Sequence, residues 1–128
     1  MNQPPAQFSV APKEMLYRIA ELADWHQAQQ TGFFASADLA AEGFIHCSER
    51  LQVVETARRY YAGRVEVVLL EWDEDILAES GVRVEREWVA SRQQCFAHVF
   101  APVPLRAVRR VWAFSVPSNG TAVLPADI

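Results

Sequence analysis

A chain of 128 residues with 51% hydrophobic and 22% charged side chains, 12 basic against 16 acidic and a net charge of −4, has the composition of one soluble domain. That apolar content excludes disorder as the main state, and the acidic balance argues against duplex nucleic acid as a partner, since a polyanionic backbone selects basic surfaces. No apolar run approaches the roughly 20 residues of a bilayer span, and residues 1–12 have no basic stretch followed by an apolar core. The expectation is a cytoplasmic protein without a membrane partner, in which Cys47 and Cys95 are reduced thiols.

In chain order, residues 1–13 carry three prolines and no sustained period, which reads as a flexible arm. The single globular domain is expected over 14–114. Residues 15–19 form a first strand, and 21–30 a helix with Leu22, Trp25 and Ala28 at helical spacing and Gly32 as its stop. Residues 33–42 read as loop with a turn of helix. Residues 43–48 (GFIHCS) form a second strand, with Ser48 as cap of a helix that runs to about Ala62 on a Leu51, Val54, Ala57, Tyr61 stripe. Residues 65–72 (VEVVLLEW) are nearly all apolar and predict a buried central strand, ended by Asp73-Glu74-Asp75.

Residues 82–88 alternate, placing Val82, Val84 and Trp88 on one face and Arg83, Glu85 and Glu87 on the other. Strands at 95–100 and 108–114 follow, separated by Pro102 and Pro104. Residues 115–128, with two prolines and Asn-Gly, read as a flexible tail. About six strands and two main helices in mixed order predict an α+β fold.

The hexapeptide GFIHCS carries the most chemistry. On a strand, Phe44, His46 and Ser48 share one face and Ile45 and Cys47 the other. An imidazole and a hydroxyl about 6.5 Å apart suit a polar cleft; a satisfied core histidine and a plain cap residue are the bland alternative. Glu85 and Glu87 point in parallel, so they do not flank a glycosidic bond, and Glu87 reads as part of a solvated face. Zinc binding by Cys47, Cys95, His46 and His98 is argued against by strand parity and the lack of a C-x-x-C spacing, so no metal is expected. Cys47 as a nucleophile with His98 as base would need a thiol that parity turns to the core. Glycine-rich phosphate loops and nucleophile-elbow patterns are absent from the sequence.

Tyr17-Arg18-Ile19, Trp25, Gly32, GFIHCS at 43–48, Gln52, Leu69-Leu70 with Asp73, Glu85, and Phe96-x-His98 followed by Pro102 together resemble a bacterial family, domain of unknown function 952. The resemblance covers residues 15–114. It implies a split-β fold like that of ADP-ribosyltransferases, with a cleft for NAD⁺ or an ADP-ribose-like nucleotide. It implies Arg18, His46 and Ser48 as binding residues, and Glu85, His46 and His98 as catalytic ones. A guanidinium suits pyrophosphate, a carboxylate suits the cation that develops on ribose when nicotinamide leaves, and imidazoles move protons near neutral pH. Some family members carry a glutathione S-transferase label, to which this sequence gives no support.

The chain departs from the family pattern at Val84, Ala97, Phe100 and Ala101, losing a tryptophan, a tyrosine hydroxyl and a turn glycine. Two other classes stand beside the enzyme reading. One is a non-catalytic module for a nucleotide or phosphorylated ligand. The other is a protein–protein module with a vestigial cleft, its aromatic surface supplied by Trp72, Trp88 and Trp112.

Overall fold

The computed structural model describes residues 15–128, so the arm expected over 1–13 lies outside the described residues. Their order is β1 (Met15–Glu21), α1 (Leu22–Thr31), β2 (Phe33–Phe34), α2 (Ala37–Glu42), β3 (Ile45–His46), α3 (Val53–Tyr60), β4 (Val67–Asp73), α4 (Glu74–Glu79), β5 (Val84–Val89), β6 (Gln94–Val99), β7 (Val103–Pro104) and β8 (Val108–Phe114). The class is α+β, as the mixed order predicts. The short elements β2, β7 and α4 add to the expected set, α2 is the turn of helix expected within 33–42, and α3 is preceded by a 3-10 turn at Arg50–Gln52.

β4 organises the fold because every one of its residues is buried. It lies between β1 and β8 in an antiparallel sheet. Val68, Leu70 and Trp72 enter one core with Leu16, Ala20 and Phe34, while Val67 and Leu69 enter a second with Tyr17, Ile19 and Phe114. A strand covered on both faces needs apolar residues at both parities, which is why VVLLEW shows no alternation. Its two carboxylates are satisfied in place. Glu71 accepts two bonds from Arg110, both 2.8 Å, and one from Tyr17 Oη at 2.7 Å. Asp73 ends the strand and caps α4, accepting from the backbone N–H groups of Asp75 and Ile76 at 2.9 and 3.2 Å. The acidic triplet thus starts a helix as well as stopping a strand.

Residues 115–128 carry no helix or strand, but the expectation of a loose tail meets a packed segment. Val116 and Ala122 are buried in the second core, Val116 N–H donates to Arg64 O at 2.8 Å, and Trp112 Nε1 donates to Asp127 at 2.9 Å. The prolines and Asn-Gly report irregular backbone, which does not preclude burial of the apolar residues between them.

β3, β6 and β5 form a second antiparallel sheet, and β2 and β7 a two-stranded one. The first two sheets meet where Tyr17 and Ser48 exchange both backbone hydrogen bonds, each 2.8 Å. The expected strand over 43–48 is therefore regular only at Ile45–His46; Cys47 N–H still donates to Ala97 O of β6 at 3.0 Å before Ser48 bridges to β1.

Candidate functional site

The junction of the two larger sheets opens a cavity of about 740 Å³. Four of the five expected site residues, Arg18, His46, Ser48 and His98, line it. Parity works in outline: Ile45 and Cys47 are buried in the first core and Phe44, His46 and Ser48 border the cavity, which Cys47 also touches from the core side. The Cys47 thiol faces Ile45 O at 3.8 Å, and burial pushes its ionisation well up, which suits a core residue rather than a nucleophile. Cys95 is free and exposed.

His46 and His98 are register partners on β3 and β6, with ring centroids 5.3 Å apart and edge to face. Each gives its Nδ1–H to a carboxylate: His46 to Asp38 at 2.8 Å and His98 to Glu87 at 2.7 Å. That bond favours the tautomer with hydrogen on Nδ1 and leaves Nε2 to other partners; the Nε2 of His46 lies 3.6 Å from a Glu42 carboxylate oxygen. The His98 Nε2 is buried with no partner among the described residues. Phe44 stacks on His98 at 4.1 Å and tilts against His46 at 4.9 Å.

Asp38 is the hub. Besides the His46 ring it accepts from Arg18 Nη1 at 2.8 Å, from the His46 and Leu39 backbone N–H groups at 2.9 and 3.1 Å, and from the Ser36 hydroxyl. Burial opposes its charge, but the His46 bonds, the Arg18 guanidinium and Ser36 outweigh it and hold the carboxyl well below its usual range. The same Arg18 Nη1 donates to His46 O at 3.0 Å, so this arginine braces the histidine backbone. The second guanidinium of the cavity is Arg92, in the β5–β6 turn. It lies 4.4 Å over the Phe96 ring and 5.8 Å from that of Tyr60, and its Nη2 is buried with no partner among the described residues.

Glu85 requires a correction. It is the register partner of His98, but its carboxylate lies 3.2 Å from Arg83 Nε and does not line the cavity. Glu87, expected on a solvated face, is the carboxylate that reaches His98. Diagonal neighbours on adjacent strands lie within reach of long side chains, so position alone does not decide between the two glutamates. Asp38, Glu87, Phe44 and Arg92 are the residues sequence reasoning missed. The only signal for Asp38 was its place after Ser36, a Ser-x-Asp at a helix start.

Ser48 Oγ lies 3.2 Å from Thr56 Oγ1, and neither imidazole bonds to it. Tyr17 borders the cavity from the Glu71 side; burial and its bond to Glu71 push its hydroxyl up to about 12. Among the tryptophans considered for an interface, Trp72 is buried, and Trp88, 61% exposed, lines the cavity. Of the departures, Ala97 is a core residue and Phe100 lies beneath the Arg83 guanidinium at 4.1 Å, near Phe44. No cluster of three or more metal-ligating side chains occurs among the described residues, and no helix among them is long and apolar enough to cross a membrane.

Residues 19–111 match the model of the family described as Protein of unknown function (DUF952). The crystal structure of protein CC0527 from Caulobacter crescentus is similar, with a TM-score of 0.75 and 30% identity over 86% of this chain and 94% of that one. The solution structure of the same Caulobacter protein aligns with a TM-score of 0.68 and 31% identity, over 89% and 96% of the two chains. No curated protein matches the chain.

Proposed function

The chain belongs to the family described as Protein of unknown function (DUF952), and from that premise we propose that its cleft binds a nucleotide of the ADP-ribose class, NAD⁺ included. The observation that carries this reading is the combination of two carboxylate-oriented imidazoles and a guanidinium with an unpartnered nitrogen along one cavity. Arg92 stands over Phe96, two residues and about 6.5 Å along β6 from His98, a separation that suits a phosphate beside a ribose. The volume of about 740 Å³ suits a ligand of nucleotide size.

In this reading Arg92 takes the phosphate in place of Arg18, whose Nη1 is engaged by Asp38 and the His46 carbonyl, although the Arg18 Nε is, like the Arg92 Nη2, buried without a partner among the described residues. The imidazoles hold ribose hydroxyls, and Trp88 and Tyr60 offer stacking faces to the base. The binding reading is favoured over nicotinamide cleavage because the carboxylate expected against the ribose, Glu85, turns to Arg83, and Glu87 is engaged by His98.

The test is a thermal melt with millimolar ADP-ribose and, in parallel, NAD⁺. At 100 times the dissociation constant, binding adds about 2.7 kcal/mol, a rise on the order of 10 °C for this size. Arg92→Ala is expected to remove most of the rise. No rise with either ligand overturns the proposal, and release of free nicotinamide overturns the preference for binding over cleavage.

A further inference from the structure

We propose that His46 and His98 form an acid–base pair that opens a nucleoside 2′,3′-cyclic phosphate, an activity of the same cleft that rests on the nucleotide-binding reading. Both rings commit Nδ1 to a carboxylate, so both keep Nε2 for proton transfer, as acceptor when neutral and donor when protonated; the Glu42 carboxylate lies 3.6 Å from the His46 Nε2, beyond hydrogen-bond distance, and favours its protonated form. With centroids 5.3 Å apart and a reach of about 3 Å from each nitrogen, the two can engage two oxygens of one phosphorus. The His98 Nε2 is buried and unpartnered, and a buried polar atom without a partner calls for one; a ligand oxygen supplies it. Arg92, with its own unpartnered nitrogen, lies along the same strand pair to face the phosphate charge.

Other chemistries fit less well. Acyl transfer through an enzyme nucleophile needs a hydroxyl or thiol bonded to a base. Cys47 faces the core, and Ser48 pairs with Thr56. Opening a cyclic phosphodiester with water needs a base, an acid and a cation. His46, whose side chain is 46% exposed, takes a proton from water through Nε2. The water oxygen bonds to phosphorus, the P–O2′ bond breaks, and O2′ takes a proton from protonated His98 Nε2. The products are a 3′-phosphomonoester with a 2′-hydroxyl and two imidazoles with exchanged protonation, which solvent restores. Phe44, stacked on His98, must rotate aside for this step, a change between staggered rotamers. Asp38 and Glu87 act as positioning residues.

The experiment incubates the full chain with 2′,3′-cyclic AMP and follows the phosphomonoester by phosphorus NMR. Turnover is expected, with a bell-shaped pH profile. His46→Ala and His98→Asn should each lower it at least a hundredfold, whereas Arg83→Ala, outside the cavity lining, should leave it unchanged. If His98→Asn does not fold, the exposed His46 decides alone. No phosphomonoester from a protein that ADP-ribose still stabilises overturns the acid–base pair and leaves the binding reading intact. Turnover that His46→Ala does not change overturns it equally. Neither turnover nor a melting shift overturns both.

Discussion

The two carboxylate–imidazole pairs of the cleft share a hydrogen-bond pattern and differ in which member is buried. In the first, Asp38 is 13% exposed and His46 46%; in the second, His98 is 6% exposed and Glu87 46%. The first buries its anion under five donors and turns its imidazole outward. The second buries its imidazole beneath Phe44 and leaves its anion in water. A charge held by several donors in a low-dielectric setting is strongly fixed, whereas a solvated carboxylate contributes little to stability. One pair is therefore built around a locked acid that aims a reachable base, and the other around a locked ring that a ligand meets only after an aromatic side chain moves.

The largest effect that could break this contrast is on stability. Asp38→Asn keeps the shape but replaces a charged acceptor with a neutral amide, leaving Arg18 and His46 N–H groups poorly matched. A loss of about 2–3 kcal/mol is expected in urea unfolding, and a loss below 1 kcal/mol would show that the hub is not a hub.

The pH dependence sharpens the same point. The Asp38 carboxyl is held below its unfolded value of about 3.9, so its contribution is complete above about pH 5. As pH falls, the unfolded chain takes up the proton first, and the contribution drains away toward the lower folded value. Wild-type melting temperature should thus fall more steeply than that of Asp38→Asn between about pH 5 and 2. Glu71, held down chiefly by Arg110, acts in the same direction in both proteins. Parallel curves would contradict the assignment.

The smallest effect belongs to the second pair. Glu87→Gln can still accept the His98 bond and should change stability by less than about 0.5 kcal/mol. A cost equal to that of Asp38→Asn would erase the difference between the pairs.

Much of this was legible in the sequence where period and burial coincide. The apolar run of β4 announced a strand covered on both faces, and the parity of GFIHCS placed Ile45 in the core and Phe44, His46 and Ser48 on the cavity. Asp38 was not legible, because its role depends on α2 ending at Gly43 in the left-handed region, φ 91°, which returns the chain so that His46 lies back over Asp38. The exchange of Glu85 for Glu87 depends on which diagonal a side chain takes across two strands, and alternation is silent on that. Arg92 falls between the expected strands at 82–88 and 95–100, and only the hairpin geometry of β5 and β6 brings it over Phe96. The packed 115–128 segment escaped because its composition reads as irregular while Asp127 is anchored by Arg110 and Trp112 from β8.

The most direct test of the central claim, that a nucleotide meets the imidazole pair, is a long-range proton–nitrogen NMR spectrum of the histidine rings with and without millimolar ADP-ribose. His46 and His98 should both carry hydrogen on Nδ1 in the free protein, and ADP-ribose should move the Nε2 signal of His46 while His26, exposed on α1, stays in place. Ring signals of His46 and His98 that do not respond to saturating ADP-ribose would contradict it.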